Sequence, residues 1–178
     1  MNQIRDGNRI HVLQGDFYVT SDPDAVLTTV LGSCIAACFH DPVAKVGGMN
    51  HYLLPTSTGN NSGAHSEGVH LMELLLNGLL GLGAQRDRIV AKIFGGAKMI
   101  QGSLSIGDQN AQFAQEFLQL EEIPIISSST GGDLGRSVQF RPFSGHARQR
   151  FLSKTEQPPI PARVAKPIQP DSGELDLF

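Results

Sequence analysis

The chain has 178 residues, 40% of them hydrophobic and 17% charged, with a formal net charge of -3 at pH 7. This length predicts one globular domain that buries a core without disulfides or metals, and the slightly acidic balance argues against nonspecific nucleic-acid binding. No apolar run approaches the roughly 20 residues of a membrane span, and the N-terminus lacks an apolar signal-peptide core, so we expect a cytoplasmic protein without membrane insertion.

The first half of the chain predicts strands followed by a helix. Runs rich in β-branched and aromatic residues indicate strands at 10–19 and 24–31, and two more strands on either side of the turn "DPVA". Residues 66–82 are apolar on most sides, and Ser66 is placed to cap their N-terminus. This segment therefore predicts a largely buried helix.

The second half predicts a strand, a helix and a terminal hairpin. The strand covers 87–94, and the helix runs from Asp108, a suitable cap, to about Glu121. Pro124 ends the helix, and "IPIIS" is predicted to be a short strand. After a loop, "SVQFRPF" and "HARQRFL" indicate a hairpin.

The composition changes after about Lys154, where five of the chain's ten prolines occur in the remaining residues. We therefore predict a folded domain at 1–154 and a Pro-rich, disordered tail at 155–178. The last residues, "ELDLF", are either a short docking motif or part of a mobile terminus.

A basic stretch precedes this tail, with no acidic residue between Leu134 and Thr155. Its charges either meet an acidic partner surface or form an ordinary solvated strand face. The basic residues are Arg136, Arg141, Arg148, Arg150 and Lys154.

Cys34 and Cys38 are the two cysteines of the chain. On one strand their Cα atoms would be about 13 Å apart, which is too far for a disulfide. They also lack the accompanying histidines of a zinc site. We expect free thiols, no metal and no cofactor, with Cys38 acting as a small core residue.

The turn "DPVA" offers a way for Cys34 to meet His51. Asp41 and Pro42 suit the start of a type I turn centred between Pro42 and Val43. Counting outward from that centre pairs Cys34 with His51, with Cβ atoms about 4.5–5.5 Å apart. An imidazole there lowers the thiol pKa through an ion pair, as in a nucleophile and its base. Alternatively, both are structural residues, and a bulge at the following glycines would change the register.

The residues before the sulfur favour catalysis. In "LGSC", Gly32 and Ser33 leave room for a substrate, and amides exposed at such a turn can act as oxyanion donors. A base also needs a group that orients its second nitrogen. Thr28 and Thr29 precede the turn on opposite strand faces, so only one can point into the site, and the residues alone do not choose between them.

The segment "TTVLGSCIAACFHDPVAKVGGMNHYLLP" closely resembles the signature of the CheD family, the chemoreceptor glutamine deamidases of bacterial chemotaxis. Further matches are "AKIFGGAKM", "IGDQN" and "GGDLGRSVQF", so that the resemblance covers roughly 10–152. It implies a layered α/β sandwich of mixed, mainly antiparallel sheets flanked by two main helices. This fold resembles the catalytic domain of deamidating toxins.

The resemblance also implies a Cys-His-Thr triad in which Cys34 is the nucleophile and His51 the base. The third member lies six positions before the cysteine, which is Thr28, and Gly32 and Ser33 face the substrate. The implied reaction deamidates glutamine side chains of methyl-accepting chemoreceptors to glutamate, with release of ammonia through a cysteine thioester. Family members are also linked to methyl-ester hydrolysis and, in some species, partner with the phosphatase CheC.

Two other functions fit the residues. One is another Cys-His hydrolase, such as a peptidase, and the other is a non-catalytic adaptor that binds chemoreceptors or a CheC-type phosphatase. The polar segment 57–70 departs from the family pattern, which more often has an aromatic-glycine pair there, so partner specificity is more open than the chemistry. His65 and His70 within it do not share a helix face and are interpreted as surface residues.

Overall fold

The computed structural model describes residues 4–54, 62–99 and 106–158. The helices are α1 (Ser62–Gly81) and α2 (Ile106–Leu120), with single 3-10 turns at Arg86–Arg88 and Lys154–Glu156. The strands are β1 (Ile4–Asp6), β2 (Arg9–His11), β3 (Asp16–Thr20), β4 (Val26–Leu31), β5 (Ile35–Asp41), β6 (Val46–Tyr52), β7 (Val90–Gly95), β8 (Ile125–Thr130), β9 (Arg136–Arg141) and β10 (His146–Phe151). Among these, no helix is long and apolar enough to cross a membrane.

The strands form two five-stranded sheets. The central sheet has the order β3-β6-β5-β7-β8, and the outer sheet has the order β1-β2-β4-β9-β10. Most pairs are antiparallel, while β2–β4 and β7–β8 are parallel. Both helices pack on the central sheet, which produces three layers: helices, central sheet and outer sheet. The predicted layered sandwich of mixed sheets with two main helices is confirmed.

Strand β5 separates two hydrophobic cores. Its side chains alternate, so that Ile35, Ala37 and Phe39 pack in the core beneath the helices. Ala36 and Cys38 point the other way, into the core between the two sheets. Cys34 belongs to the same inter-sheet core, so its thiol lies between the sheets.

The helices follow the predicted positions with shifted starts. In α2 the stripe of Phe113, Ala114, Phe117 and Leu118 is buried, as its spacing predicts. Helix α1 begins at Ser62, four residues before the predicted cap. Both helices bury their apolar side against the central sheet, which places the N-terminal part of α2 close to the end of β6.

The strand predicted at 10–19 is two strands in different sheets. Arg9–His11 lies in the outer sheet and Asp16–Thr20 in the central sheet. Between them the chain crosses from one sheet to the other, and Gly15 takes a φ of 84° that favours glycine. The sequence pattern resembles one strand because β2 and β3 each place apolar residues against the core between the two sheets.

The predicted register of the β5–β6 hairpin is wrong by two residues. His51 is paired with Ala36, and Asp41 with Val46, so the turn spans four residues. The side chain of Asp41 accepts hydrogen bonds from the N–H groups of Val43 (2.8 Å) and Ala44 (3.0 Å). The turn therefore includes two residues more than predicted, Ala44 and Lys45, both on the β6 side, and this shifts the register by two.

The basic stretch does not form one surface. Arg136 is buried, with 1% of its surface exposed, so its assignment to a solvated or docking face is corrected. Arg150 pairs with Glu156 at 3.2 Å. Arg141 and Arg148 are exposed. Arg136 differs because its strand position alternates into the inter-sheet side, where carbonyl groups receive its guanidinium.

The chain stays packed beyond the predicted domain boundary at 154. The Gln157 side chain accepts a hydrogen bond from the N–H of Gly135 at 2.8 Å, and Pro158 lies against Gly32. These residues of the predicted tail contact the folded part of the chain, and the division of the chain at 154 stays a prediction. The remainder of the predicted tail, 159–178 with its "ELDLF" end, lies outside the described residues.

Candidate active site

The imidazole of His51 is held between the two sheets. Its Nδ1 lies 2.8 Å from the Thr29 hydroxyl and 3.3 Å from the carbonyl oxygen of Val12. A carbonyl only accepts, so Nδ1 must carry the ring proton. The Thr29 hydroxyl donates its own hydrogen to the same carbonyl at 2.9 Å, which leaves it an acceptor for His51. Together these contacts fix the tautomer with an unprotonated Nε2.

Thr28, the triad member implied by the family resemblance, does not contact His51. Its hydroxyl lies 2.8 Å from Nδ1 of His11, on the opposite face of β4. Successive strand residues point to opposite faces, and Thr29 is the one that shares the inter-sheet face with Leu27 and Leu31. The structure thus brings Thr29, not Thr28, to the imidazole.

Cys34 and His51 lie on one face of the hairpin at diagonal positions, because Ala36 is the residue opposite His51. Diagonal neighbours in an antiparallel pair are about 7–8 Å apart, within reach of long or aromatic side chains. The predicted shared face is confirmed, although the predicted direct pairing is wrong.

The turn that carries the sulfur is anchored by its carbonyl groups. The carbonyl of Gly32 accepts from the N–H of Ala97 at 2.8 Å, and that of Cys34 accepts from Gly96 at 2.8 Å. The backbone groups of Cys34 and Gly32 lie close enough to the sulfur to lower the pKa of its thiol, as N–H donors do. That backbone N–H groups near Ser33 and Cys34 hold an oxyanion stays a prediction, and the backbone of Gly32 and Cys34 lies beside the sulfur.

Glycines let β7 approach this turn. A Cβ on Gly95 would lie 2.0 Å from the carbonyl oxygen of Cys34, and the φ of Gly95 is 115°. Any side chain there would push the strand away from the nucleophile. This explains the glycine pair of "AKIFGGAKM": it permits the backbone contact that fixes the turn.

Asn110 of α2 locks the other side of the turn. Its Nδ2 donates to the carbonyl of Ser33 at 3.0 Å, and its Oδ1 accepts from the N–H of Leu54 at 2.7 Å. Its own carbonyl accepts from the Tyr52 hydroxyl at 3.0 Å. A single buried amide therefore joins α2, the turn before β5 and the end of β6.

Burial keeps the resting pair neutral. It raises the pKa of the Cys34 thiol to about 11, although the N–H groups of Cys34 and Gly32 act in the opposite direction. Burial lowers the pKa of His51 to about 4, opposed by the Val12 carbonyl. The ion pair expected from the sequence is therefore not the resting state at pH 7.

Two buried polar atoms at the site lack a hydrogen-bond partner among the described residues. They are Nε2 of His51 and Oγ of Ser33. A buried polar atom without a partner costs about 1–3 kcal/mol of stability. Such atoms are therefore candidates for hydrogen bonds to a reacting group. The Nε2 lone pair is the acceptor that a nearby thiol needs.

The sequence reasoning missed Gln14 and Asn110. The Cys34 thiol donates to Oε1 of Gln14 at 3.5 Å. Gln14 lies in the crossing between β2 and β3, which the predicted single strand hid. Asn110 belongs to "IGDQN", a motif that supports the family resemblance, but its contact with the turn is not evident from the sequence.

Comparison with known proteins identifies the family. The family model described as CheD chemotactic sensory transduction matches residues 53–151, more than half of the chain. The chain is 54% identical over 175 residues to a probable chemoreceptor glutamine deamidase CheD of Agrobacterium fabrum strain C58, with 96% of each chain covered. It is 55% identical over 176 residues to the protein of the same name from Rhizobium leguminosarum bv. trifolii strain WSM2304, again with 96% of each chain covered.

Among solved structures, the chain is similar to the Bacillus licheniformis hypothetical protein YfiH, with a TM-score of 0.43 and 17% identity. That alignment covers 64% of this chain and 50% of YfiH. The family model and the relatives over nearly full length are decisive, and the chain belongs to the CheD family.

Proposed function

We propose that this chain deamidates glutamine side chains of chemoreceptors, with Cys34 as nucleophile and His51 as general base. One observation supports the chemistry most strongly. Thr29 and the Val12 carbonyl hold the proton on Nδ1 of His51, which leaves a buried, unpaired Nε2 on the hairpin face that carries Cys34.

In the first half of the reaction, the Cys34 sulfur attacks the carboxamide carbon while Nε2 of His51 takes the thiol proton. Because the resting pair is neutral, proton transfer accompanies the attack. The N–H groups of Gly32 and Cys34 stabilise the negative oxygen of the tetrahedral intermediate. His51 then protonates the departing nitrogen, ammonia leaves, and a thioester remains on Cys34.

In the second half, His51 accepts a proton from water, which attacks the thioester carbon. The same N–H groups stabilise the second oxyanion. Collapse of this intermediate breaks the carbon–sulfur bond, returns the proton to Cys34 and releases glutamate. No cofactor enters either half.

The substrate assignment rests on the relatives. Proteins 54% and 55% identical to this chain are named probable chemoreceptor glutamine deamidases. We extend that substrate class to this chain. A CheC-type phosphatase is a further proposed partner, supported only by the sequence resemblance.

The test is mass spectrometry of chemoreceptor cytoplasmic fragments, from the organism that encodes the chain, incubated with purified protein. Each converted glutamine adds about one dalton and leaves the fragment uncut. Cys34→Ala should abolish the conversion, since it removes the proposed nucleophile at the turn before β5, whereas Cys38, the other described thiol, is 1% exposed in the interior of that strand. Cleaved fragments would instead identify a peptidase.

Cys38→Ala is the matched control, because Cys38 is the other buried thiol of the inter-sheet core. Its side chain is 1% exposed and packs two positions further along β5 from Ala36. This variant should keep its activity apart from a modest loss of stability. Receptor binding without conversion by the wild type would point to an adaptor and overturn the proposal.

A further inference from the structure

The crossing between β2 and β3 reaches the site with three of its groups. The Val12 carbonyl contacts Nδ1 of His51, and the N–H of Gly15 donates to the carbonyl of His51 at 2.8 Å. Between these two anchors lies Gln14, an exposed residue whose Oε1 is 3.5 Å from the Cys34 sulfur. The backbone on both sides of Gln14 is thus tied to the base while its side chain meets the nucleophile.

The carboxamide of Gln14 can serve two opposite needs. A resting thiol is a donor, and the carboxamide oxygen accepts from it, as the structure has it. An oxyanion needs donors, and the same carboxamide carries two N–H bonds on its nitrogen. Rotation about the terminal side-chain bond exchanges the oxygen and the nitrogen at nearly the same position.

Gln14 is well placed for this exchange. An exposed side chain is free to rotate, whereas the other donors, the N–H groups of Gly32 and Cys34, belong to a turn that hydrogen bonds hold in place. Catalysis requires an interaction that is stronger in the transition state than in the resting state. A donor that turns toward the oxyanion only when the negative charge forms meets this requirement in a site whose resting groups are neutral and buried.

We propose that Gln14 is a catalytic residue of the deamidation: its side-chain N–H donates to the oxyanion formed on the substrate carboxamide at Cys34. This rests on the proposed function and adds a third donor to the N–H groups of Gly32 and Cys34. In the resting enzyme the Gln14 carboxamide is turned around and accepts the thiol hydrogen.

The kinetic test compares Gln14→Met with wild type on the same receptor fragments. Methionine keeps the length of the side chain and removes its donors. We expect kcat to fall about 100-fold with little change in KM, since losing one oxyanion donor costs about 10²–10³ in kcat. Leu13→Ala, an exposed position on the same loop, is the control and should leave kcat within about twofold of wild type.

A second readout does not depend on deamidation. The rate at which iodoacetamide alkylates Cys34, followed against pH in a Cys38→Ala background, reports the thiol pKa. Gln14→Glu should shift this profile to higher pH than Gln14→Met, because it places a carboxylate beside the sulfur.

Two results would overturn the role of Gln14. One is a kcat in Gln14→Met equal to or above that of wild type, which would make Gln14 a cover that the substrate displaces. The other is an alkylation profile that Gln14→Glu leaves unmoved, which would place the carboxamide away from the sulfur. If wild type itself converts no glutamine, the proposed function fails, and the alkylation profile still decides whether Gln14 faces the nucleophile.

Discussion

The two successive threonines of β4 each contact the Nδ1 of a histidine, from opposite faces of the same strand. Thr29 faces the inter-sheet core and holds His51, while Thr28 faces outward and holds His11. Both contacts are 2.8 Å long, so neither distance nor residue type distinguishes them. What distinguishes them is the partner: only His51 shares a face with Cys34.

Thr29→Val should therefore lower deamidation more than Thr28→Val. Valine has the shape of threonine but cannot accept the hydrogen of Nδ1, so the imidazole loses part of the restraint on its tautomer and orientation. We expect kcat to fall about 10- to 100-fold in Thr29→Val, a fraction of what a general base contributes. Ammonia release under substrate saturation measures it.

Thr28→Val is the matched control, since it makes the same change one residue away and removes a contact to His11 instead. Its kcat should remain within about threefold of wild type. A larger loss in Thr28→Val than in Thr29→Val would restore the assignment implied by the family resemblance.

Residue identity could be predicted where the chemistry is local. The prediction of Cys34 and His51 as site residues depends on a glycine-serine turn and a hairpin, features that neighbours in the chain specify. The choice between Thr28 and Thr29 depends on which face of β4 meets the central sheet. The alternation of side chains along β4 shows that the two threonines face opposite ways, but it does not show which face packs on the central sheet. The position of Gln14 could not be predicted for the same reason, because it lies where the chain crosses from one sheet to the other.

At the scale of the hairpin, the error in register was harmless to the site because it was even. A shift of two residues preserves the face on which every side chain lies, whereas a shift of one would have turned Cys34 away from His51. The turn lengthens because the Asp41 side chain accepts two N–H groups within it. The sequence predicts that Asp41 begins a two-residue turn, whereas in the structure its side chain accepts hydrogen bonds within a four-residue turn.

Helix α2 contributes to the site through one side chain, and this makes a prediction for the helix as a whole. In Asn110→Ala, the carbonyl of Ser33 and the N–H of Leu54 lose their partner in a buried place. We expect the free energy of unfolding to fall by about 2–4 kcal/mol, measured by urea denaturation. kcat should fall as well, because the Ser33 carbonyl no longer holds the turn that positions the sulfur.

Gln112→Ala is the control on the same helix. Its side chain is exposed and bonds only Glu116 among the described residues, one turn along. Its stability should change by less than about 0.5 kcal/mol, with no effect on kcat. An Asn110→Ala protein as stable and active as this control would show that α2 packs on the site without fixing it.

On the scale of the whole molecule, the site depends on the spacing of the two sheets, and Arg136 joins them. It belongs to β9 of the outer sheet and donates to the carbonyl groups of Ser129 and Gly131, at the end of β8 in the central sheet. The N–H of Gly131 in turn donates to the carbonyl of Gly95, at 2.9 Å. Gly95 packs against the Cys34 backbone, so the sheet junction is connected to the turn of the nucleophile.

Arg136→Lys should therefore destabilise the fold although the charge is kept. The planar guanidinium reaches two carbonyl groups at once and lies over the Phe151 ring, 5.2 Å from its centroid. An ammonium ion is a compact, strongly hydrated charge that cannot reproduce this fork, and its burial costs more. We expect a loss of about 2–4 kcal/mol in the free energy of unfolding.

Arg148→Lys on the exposed face of β10 makes the same exchange in water and should change stability by less than about 0.5 kcal/mol. Equal stability of the two variants would mean that apolar packing alone sets the distance between the sheets, and that Arg136 only fills space between them.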